Sequence, residues 1–581
     1  MIKKLSRYIG QYKKYLLIIP ILVMLDVAAE LSMPLLMARI IDIGIITSDV
    51  AFIARIGGYM ALLALAAMTF GVLNSRFTTV AAMGFGANLR DALFEKVQSF
   101  SFNNIDLFST ASLITRLTND ANNLQMTFMM VMRILLRAPL MLVIAFLLAY
   151  SINAELSIVL AVAIPLLLIG IVLIVSAATK RFMVVQEKID ALNNTLQENL
   201  IGMRVVKSFV REDFEIGKFK KSNDNLTTAG IRALSIAVLG MPLMMLVMNG
   251  ASLVIIWLGG NMVAAGGLGV GELISFLSYI IQILMSVMML SMVVLMSARA
   301  QASAKRVLEV LETESDIAEP AQPRNPTASL KRGKVEFRDV SFKYHVSDTG
   351  ANVLSNISFT AQPGQVVGIV GGTGTGKTTL IHLIPRLYDV SEGAVLVDDL
   401  DVREYDLEEL RDHMGVVLQQ NTLFSGTIRD NVLWGKQDAT QAEVETACRI
   451  AQAHDFILAF PDGYDTQLGQ GGVNLSGGQK QRLTIARALL KQPSILILDD
   501  STSAVDTATE AKIRKGFQQN LADTTVFIIA QRISSVREAD LILVVDDGKL
   551  AGIGTHSELL MTNAIYQEIN ASQLEGAYIN G

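Results

Sequence analysis

Long apolar stretches without charged residues dominate the first half of this 581-residue sequence. The longest, residues 233–271, runs for 39 residues without an Asp, Glu, Lys or Arg. A helix of about 20 mostly apolar residues is long enough to cross a bilayer. Shorter uncharged stretches recur at 56–75, 138–154, 156–179 and 273–298, and the apolar stretch 15–38 is interrupted only by Asp26 and Glu30. We therefore predict six membrane spans, with a Gly-rich outer loop following the span in 233–271.

The distribution of charge separates the sequence into two parts. Residues 1–300 carry 24 Lys or Arg and 17 Asp or Glu, whereas residues 301–581 carry 25 and 37. The second part has the charge content of an ordinary soluble domain. We expect a membrane domain in residues 1–315, a linker in 316–332 and a soluble domain in 333–581. The single cysteine, Cys448, and the lack of a Cys/His cluster exclude a disulfide framework and a zinc scaffold.

Basic residues indicate the orientation of the spans. Five Lys or Arg precede the first span and ten lie in residues 180–232, while the predicted outer loops contain only Arg55. The positive-inside rule therefore puts both ends of the membrane domain in the cytoplasm. The long inner connections, roughly 80–125 and 181–232, are predicted to be helical legs that reach into the cytoplasm, with their tips near 108–120 and 197–213. Asp26 and Glu30 interrupt the first apolar run, which argues against a cleaved signal peptide.

Two features of the membrane domain bear on what it carries. Asp26 and Glu30 are four residues apart on one helix face, within a predicted span. They either attract a cationic substrate or serve packing near the water boundary. Of the 26 methionines, 24 lie in residues 1–300. Flexible Met side chains suit a promiscuous binding surface, although Met is also common membrane filler.

A phosphate-binding loop is the clearest motif of the second part. The sequence GGTGTGKT (371–378) follows the apolar stretch VVGIV and precedes a helix-like segment. In this G-x-x-x-x-G-K-T spacing, glycines let backbone N–H groups approach phosphates, Lys377 reaches the outer phosphates, and Thr378 offers a hydroxyl to Mg²⁺. A second acidic element, SILILDD (494–500), ends in Asp499, which is placed to hold the Mg²⁺ side of the nucleotide. The motifs predict ATP and Mg²⁺ as ligands.

With LSGGQKQR at 475–482, the sequence resembles the exporters of the ATP-binding-cassette family over essentially its whole length. The resemblance implies an all-α six-span membrane domain fused to an α/β P-loop domain, and segments 108–120 and 197–213 look like the family's coupling helices. By resemblance, Tyr344 stacks on adenine, Gln419 is the Q-loop glutamine near the metal, and Ser503 to Asp506 form the D-loop. The resemblance further assigns nucleotide contacts to the P-loop and, across a dimer, to the signature; these residues are Gly371, Gly372, Thr373, Gly374, Thr375, Gly376, Lys377, Thr378, Thr379, Ser476, Gly477, Gly478 and Gln479.

The sequence departs from the family at two catalytic positions. Where the family has a glutamate that acts on the attacking water, this chain has Asp500, one methylene shorter. Where the family has a histidine that contacts the γ-phosphate, it has Gln531, which forms hydrogen bonds but cannot carry the proton. Residues 469–472, GQGG, also differ from the usual G-E-R-G. Both catalytic changes weaken hydrolysis at the same ATP site because general-base chemistry depends on reach and on pKa.

These departures predict the degenerate subunit of a heterodimeric exporter. Its partner is a second half-transporter that supplies the missing glutamate and histidine, and its substrate is an amphipathic drug or lipid. The alternatives are a regulatory or ATP-gated channel subunit and a homodimeric lipid or peptide exporter. The predicted spans exclude a soluble cassette ATPase acting on nucleic acid. We expect a multi-pass protein of the plasma, or inner, membrane.

Overall fold

The computed structural model describes residues 1–320, 332–344, 352–501 and 504–579. Part of the predicted linker, residues 321–331, therefore lies outside the described residues. Contacts within the chain define two compact units. The first comprises Met1–Gln98 and Ala111–Glu312, and the second comprises Ser99–Thr110 and Thr313–Gly581.

The first unit is helical. Its six long helical segments are apolar enough to cross a membrane, and their bounds are Lys3–Ile45, Val50–Gln98, Thr110–Ile152, Ala154–Ile201, Glu212–Ala264 and Val270–Leu290. The sequence prediction of six spans is confirmed. Five segments contain 43 to 53 residues, about twice the length that a bilayer core requires. Their ends therefore extend beyond the apolar layer as helical legs.

These segments are built from shorter elements in chain order. The helices are α1 Ile2–Leu5, α2 Tyr15–Arg39, α3 Val50–Gln98, α4 Phe102–Leu107, α5 Thr110–Thr115, α6 Ala121–Met130, α7 Leu136–Ile152, α8 Ala154–Ile201, α9 Met203–Ser208, α10 Glu212–Ala237, α11 Gly240–Ala264 and α12 Val270–Glu312. One 3₁₀ stretch, Ser6–Lys14, and three π-helical stretches, Ile40–Ile45, Arg116–Asp120 and Val131–Leu135, join some of them.

The core of the membrane unit joins α2 and α12. Ile19, Val23 and Leu31 on α2 and Phe276 and Ile280 on α12 belong to one buried apolar cluster. Because water is absent from such a core, its polar groups need protein partners. The Tyr279 hydroxyl accordingly donates to the Leu31 carbonyl at 2.8 Å.

The two carboxylates inside the first span are paired. Arg137 on α7 donates to Asp26 Oδ2 at 2.6 Å and also forms an ion pair with Glu30. Asp26 is buried, whereas Glu30 is partly exposed. The three side chains carry a net charge of −1 when all are ionised, so Arg137 removes much of the attraction for a cation that the two carboxylates alone would exert.

The second unit is an α/β fold with three sheets. Its strands are β1 Val335–Phe342, β2 Leu354–Ala361, β3 Val366–Val370, β4 Glu392–Val397, β5 Leu400–Asp401, β6 Met414–Val417, β7 Gly426–Thr427, β8 Gln467–Leu468, β9 Ile495–Asp499, β10 Thr525–Ile529, β11 Leu541–Asp546 and β12 Lys549–Gly554. Its further helices are α13 Lys377–His382, α14 Leu407–Asp412, α15 Ile428–Leu433, α16 Gln441–Ile450, α17 His454–Leu458, α18 Gly477–Leu490, α19 Thr507–Asn520, α20 His556–Thr562 and α21 Ala564–Ile579.

The central sheet determines where the chemistry lies. Its strand order is β12-β11-β3-β10-β9-β6, and all neighbours are parallel except β12. An antiparallel sheet, β2-β1-β4-β5, and a two-stranded one, β7-β8, complete the unit. Since β3, β10 and β9 are adjacent and parallel, the loops that follow them meet at one sheet edge, where α/β folds bind ligands.

The segment predicted to form the first cytoplasmic tip is displaced along the chain. Residues 108–120 were expected at or near the tip. The part of this connection that belongs to the second unit is instead Ser99–Thr110, which contains α4, and residues from Ala111 onward belong to the membrane unit. This prediction was wrong because Ser101 starts α4 with a capping box closed by Asn104, several residues before the expected tip. Near the second predicted tip, α9 lies between α8 and α10.

Candidate nucleotide-binding site

The P-loop follows β3 directly and wraps around a lysine. Gly371, Gly374 and Gly376 all have positive φ values, 154°, 82° and 95°. At Gly376 a Cβ atom would lie 3.0 Å from the Val353 carbonyl, so both the backbone conformation and the available space favour glycine there. Lys377 Nζ donates to the carbonyls of Gly371 and Gly372 at 3.0 and 2.5 Å. The ammonium group is thus held at the concave side of the loop, and burial lowers its pKa.

The remaining P-loop residues support this cradle. Thr375 donates its hydroxyl to the Gly372 carbonyl at 3.0 Å, while Thr373 lies exposed at the outer turn. Thr379 is buried in the first turn of α13. Its hydroxyl lies 2.9 Å from the Tyr344 hydroxyl. A loop of this shape directs backbone N–H groups toward a bound anion.

A buried carboxylate faces the P-loop threonine. Thr378 Oγ1 donates to Asp499 Oδ1 at 3.1 Å, and Asp499 is 2% exposed. Asp499 Oδ2 is buried and has no hydrogen-bond partner among the described residues. Burial raises the pKa of Asp499 to about 6, against a smaller lowering by Thr378. The Thr378 hydroxyl and the unpaired Asp499 Oδ2 are two oxygens that could hold Mg²⁺. In nucleotide sites, Mg²⁺ binds through one or two protein oxygens and the phosphates of the nucleotide.

Asp500 and Gln531 are in direct contact. Gln531 Nε2 donates to Asp500 Oδ2 at 2.7 Å. The contact follows from the sheet, because Asp500 comes one residue after β9, Gln531 two residues after β10, and Ile529 pairs with Asp499 between those strands. Asp500 has a φ of 47°, a left-handed conformation that Asp adopts more readily than most residues. The two residues that depart from the family pattern therefore form one hydrogen-bonded pair.

Tyr344 lies beside the P-loop with its ring packed edgewise. Its ring centroid is 4.8 Å from that of Phe342 and 5.2 Å from that of Tyr388, both at nearly perpendicular angles. Tyr388 in turn donates its hydroxyl to Asp106 on α4 at 2.6 Å. Tyr344 thus lies between Thr379 of the P-loop and Tyr388, which in turn bonds to α4.

Gln419 follows β6, the parallel neighbour of β9 in the central sheet, whereas the signature residues lie at the start of α18. Gln419 is exposed, two residues after β6. Ser476 caps α18: its hydroxyl accepts from the Gln479 N–H at 3.3 Å, and Gln479 Oε1 accepts from the Ser476 N–H at 2.9 Å. At Gly478 a Cβ atom would lie 2.7 Å from the Ala504 carbonyl, so glycine permits a close backbone approach. Gly477 lies beside the same residue.

Asp506 also acts as a helix cap. Its carboxylate accepts from the Thr509 N–H at 2.9 Å at the start of α19, and this bonding lowers the pKa of Asp506. Of the D-loop residues, Ser503 lies outside the described residues. Asp506 therefore caps the start of α19, and this role does not require contact with a nucleotide.

Sequence reasoning missed one residue that connects these regions. Gln481 on α18 is 3% exposed, its side-chain carbonyl accepts from the Ala504 N–H at 3.0 Å, and its amide donates to the Asp500 carbonyl at 3.5 Å. The sequence shows a glutamine at this place in LSGGQKQR but not its burial, and it is burial that requires the amide to have partners.

Comparisons with known proteins identify the family. Residues 16–287 match the ABC transporter transmembrane region, and residues 354–503 match the ABC transporter domain. The chain is 40% identical to "Uncharacterized ABC transporter ATP-binding protein YfiB" of Bacillus subtilis over 95% of both proteins. The chain belongs to the ABC transporter family and has the half-transporter arrangement, a membrane domain followed by an ATP-binding domain.

Further relatives and one solved structure indicate the exporter class. The chain is 35% identical to the "ATP-dependent lipid A-core flippase" of Syntrophus aciditrophicus, covering 84% of this chain and 80% of that protein. It is 38% identical to "Probable multidrug resistance ABC transporter ATP-binding/permease protein YheI" of Bacillus subtilis, covering 79% and 78%. The structure of a bacterial Atm1-family ABC exporter with ATP bound matches with a TM-score of 0.80 and 26% identity, covering 96% and 99%. This protein is an ABC exporter, a multi-pass membrane protein with an ATPase domain coupled to transport.

Proposed function

We propose that this exporter subunit binds ATP firmly and hydrolyses it poorly at its own P-loop. Lys377 and the backbone of 371–379 hold the phosphates, Tyr344 contacts the base, and Thr378, Asp499 and Gln419 hold Mg²⁺. When bound, Mg²⁺ neutralises phosphate charge during phosphoryl transfer. The membrane domain in this proposal is 1–315 and the nucleotide-binding domain is 333–581, joined by the linker 316–332.

The hydrogen bond between Gln531 and Asp500 is the observation that carries this proposal. A general base must accept a proton from the attacking water, and it needs the reach to do so. The Asp500 carboxylate is one methylene shorter than glutamate, and one of its oxygens already accepts from the Gln531 amide at 2.7 Å. Gln531 cannot take up a proton in return. The second N–H of the Gln531 amide is therefore suited to contact a γ-phosphate, whereas the pair is poorly suited to activate water.

The capped signature helix supports a role at a second ATP site. Ser476 and Gln479 complete a capping box, which fixes the start of α18 and orients its first turn. We propose that this turn closes on ATP held by the P-loop of a second, different half-transporter. That partner supplies the glutamate and the histidine that this chain lacks, and most of the turnover takes place there.

The placement of α4 supports coupling between ATP and transport. Within the soluble unit, Phe102 on α4 packs with its ring centroid 6.0 Å from that of Tyr388, and Asp106 accepts from the Tyr388 hydroxyl. Residues on either side of this unit's 99–110 segment belong to two membrane-spanning segments. Closure of two nucleotide-binding domains on ATP would thereby move the spans and open the cavity outward. ATP would shift the equilibrium between the inward-open and outward-open states to the extent that it binds one of them more tightly than the other.

The proposed substrates are amphipathic drugs or lipids. Two of the similar proteins are named as a lipid A-core flippase and as a probable multidrug resistance transporter. The pairing of Asp26 and Glu30 with Arg137 favours packing over the attraction of cations as the role of these carboxylates. We propose that both termini lie in the cytoplasm, on the basis of the positive-inside rule.

Steady-state ATP turnover of the purified chain in lipid tests the proposal. The native chain is compared with its Asp500→Glu, Gln531→His double variant at saturating Mg-ATP. We expect the native chain to be nearly silent and the double variant to hydrolyse ATP at least tenfold faster, because general-base catalysis contributes about 10² to 10⁴ in rate.

The opposite result would indicate a homodimer in place of a heterodimer. Brisk turnover by the native chain, unchanged in the double variant, would show that Asp500 is competent and that a homodimer suffices. ATP binding with solute flux down its gradient and no turnover in either protein would instead support a channel-type or regulatory subunit.

A further inference from the structure

The C-terminal helix α21 packs beneath the segment that carries Gln531. Tyr566 on α21 is 0% exposed and shares a buried cluster with Ala530 and Ile533, which precede and follow Gln531 in the chain, and with Val370, the last residue before the P-loop. The helix start is fixed, because the Tyr566 N–H donates to Asn563 Oδ1 at 2.9 Å. The helix therefore rests on the strand ends that position the ATP site.

One side chain of this helix clamps the backbone around Gln531. Gln573 Nε2 donates to the Gln531 carbonyl at 2.8 Å, and Gln573 Oε1 accepts from the Ile533 N–H at 2.9 Å. The amide thus pairs with this segment as a neighbouring peptide unit would, through one donor and one acceptor. The Ile533 N–H is partly buried and needs such a partner, whereas the bond to the Gln531 carbonyl is exposed to solvent.

The two hydrogen bonds of Gln573 hold the backbone of a residue that is proposed to act in ATP hydrolysis. The residue whose carbonyl Gln573 holds is the same one whose side chain bonds to Asp500. On the other flank, Arg514 of α19 donates to the Ser534 carbonyl at 2.9 Å. Residues 531–534 are therefore fixed from two helices, and the Gln531 side chain extends from this fixed backbone toward Asp500.

We propose that Gln573 is a positioning residue for ATP hydrolysis, holding the Gln531 backbone so that the side chain at position 531 meets Asp500 and the γ-phosphate. The inference rests on the proposed role of position 531 at the nucleotide. It makes the C-terminal helix a control element of the ATP site. ATP binding, which depends on the P-loop, does not require the clamp.

Gln573→Met tests the clamp against a matched control on the same helix. Methionine keeps the length and removes both hydrogen bonds. The control is Gln567→Met, because Gln567 Nε2 donates to the Leu560 carbonyl at 2.7 Å, away from residues 531–534. Both changes are made in the native chain and in the Asp500→Glu, Gln531→His background, and kcat and KM for ATP are measured in whichever of the two turns over.

We expect Gln573→Met to lower kcat roughly three- to tenfold, as the loss of about one net hydrogen bond would, with KM within about twofold, whereas Gln567→Met leaves both unchanged. Gln573→Glu keeps an acceptor for Ile533 but loses the donor to residue 531, so it reproduces the fall in kcat. Equal kcat in Gln573→Met and the control, or a rise in KM that matches the fall in kcat, would overturn the proposal. If the double variant fails to gain turnover, the proposed function fails, and the clamp is then tested on the native chain by single-turnover hydrolysis of labelled ATP with protein in excess, where an equal rate in Gln573→Met and Gln567→Met overturns it.

Discussion

The P-loop and the Asp500–Gln531 pair lie after adjacent strands of one sheet. The P-loop keeps the residues expected for binding ATP, whereas the pair lacks the glutamate and histidine expected for hydrolysis. Around the P-loop, Lys377 is held by two carbonyls, and Thr378 contacts Asp499, whose second oxygen has no hydrogen-bond partner among the described residues. At the pair, a shortened carboxylate is bonded to an amide that cannot carry a proton. The two groups lie on separate loops, so under the proposed function nucleotide binding can stay intact while hydrolysis weakens.

The largest expected effect is on binding. Lys377→Ala removes the ammonium group held by the P-loop carbonyls, so we expect ATP affinity to fall by on the order of 100-fold, as the loss of charge-assisted hydrogen bonds would. Calorimetry or fluorescent-nucleotide titration measures it. Lys512→Ala, on the exposed side of α19, is the control and should bind like the native chain. Equal affinity in the two variants would contradict the role given to the P-loop lysine.

The second test separates the two members of the catalytic pair. Asp500→Glu alone should raise turnover about tenfold because it restores reach toward water. Gln531→His alone should raise it less, since the base would remain short. The left-handed backbone at position 500 should make Asp500→Glu slightly less stable, by up to about 1 kcal/mol. Turnover assays and thermal denaturation of both single variants measure this, and a larger gain from Gln531→His would reverse the order of importance.

The smallest expected effect distinguishes capping from nucleotide contact at the signature. Ser476→Ala and Thr440→Ala each remove the hydroxyl of a capping box, at α18 and α16 respectively. Each should cost about 1 kcal/mol in the free energy of unfolding. Only Ser476→Ala should also lower ATP turnover in the assembled dimer. Equal turnover in the two variants would mean that Ser476 serves the helix alone.

Sequence reasoning predicted the elements better than their contacts. Six spans follow from uncharged runs, and the P-loop from its spacing, because local composition determines both. The hydrogen bond between Asp500 and Gln531 joins residues 31 positions apart and depends on the order of β9 and β10 in the sheet. Likewise, the partner of Asp26 and Glu30 proved to be Arg137, more than 100 residues away.

The first coupling tip was misplaced for a local reason. The sequence of α4 is only six residues long, too short for apolar periodicity to reveal it. Its start depends on the mutual hydrogen bonds of Ser101 and Asn104, a polar cap that lacks the usual Glu or Gln at its third helical position. Its interaction with the soluble unit comes from Asp106 and Tyr388, which are 282 residues apart. Tertiary contacts of that separation are absent from local patterns.

The buried Gln481 constrains how this chain can change over generations. One of its ends bonds to the loop at Ala504, beside the signature, and the other to the backbone carbonyl of Asp500. The bond to Asp500 involves no side-chain atom of that residue, so this hydrogen bond does not depend on whether residue 500 is an aspartate or a glutamate. Selection can therefore alter the side chain at position 500 without breaking the hydrogen bond that ties this backbone to α18. Replacing Gln481 would disturb both regions in a single step.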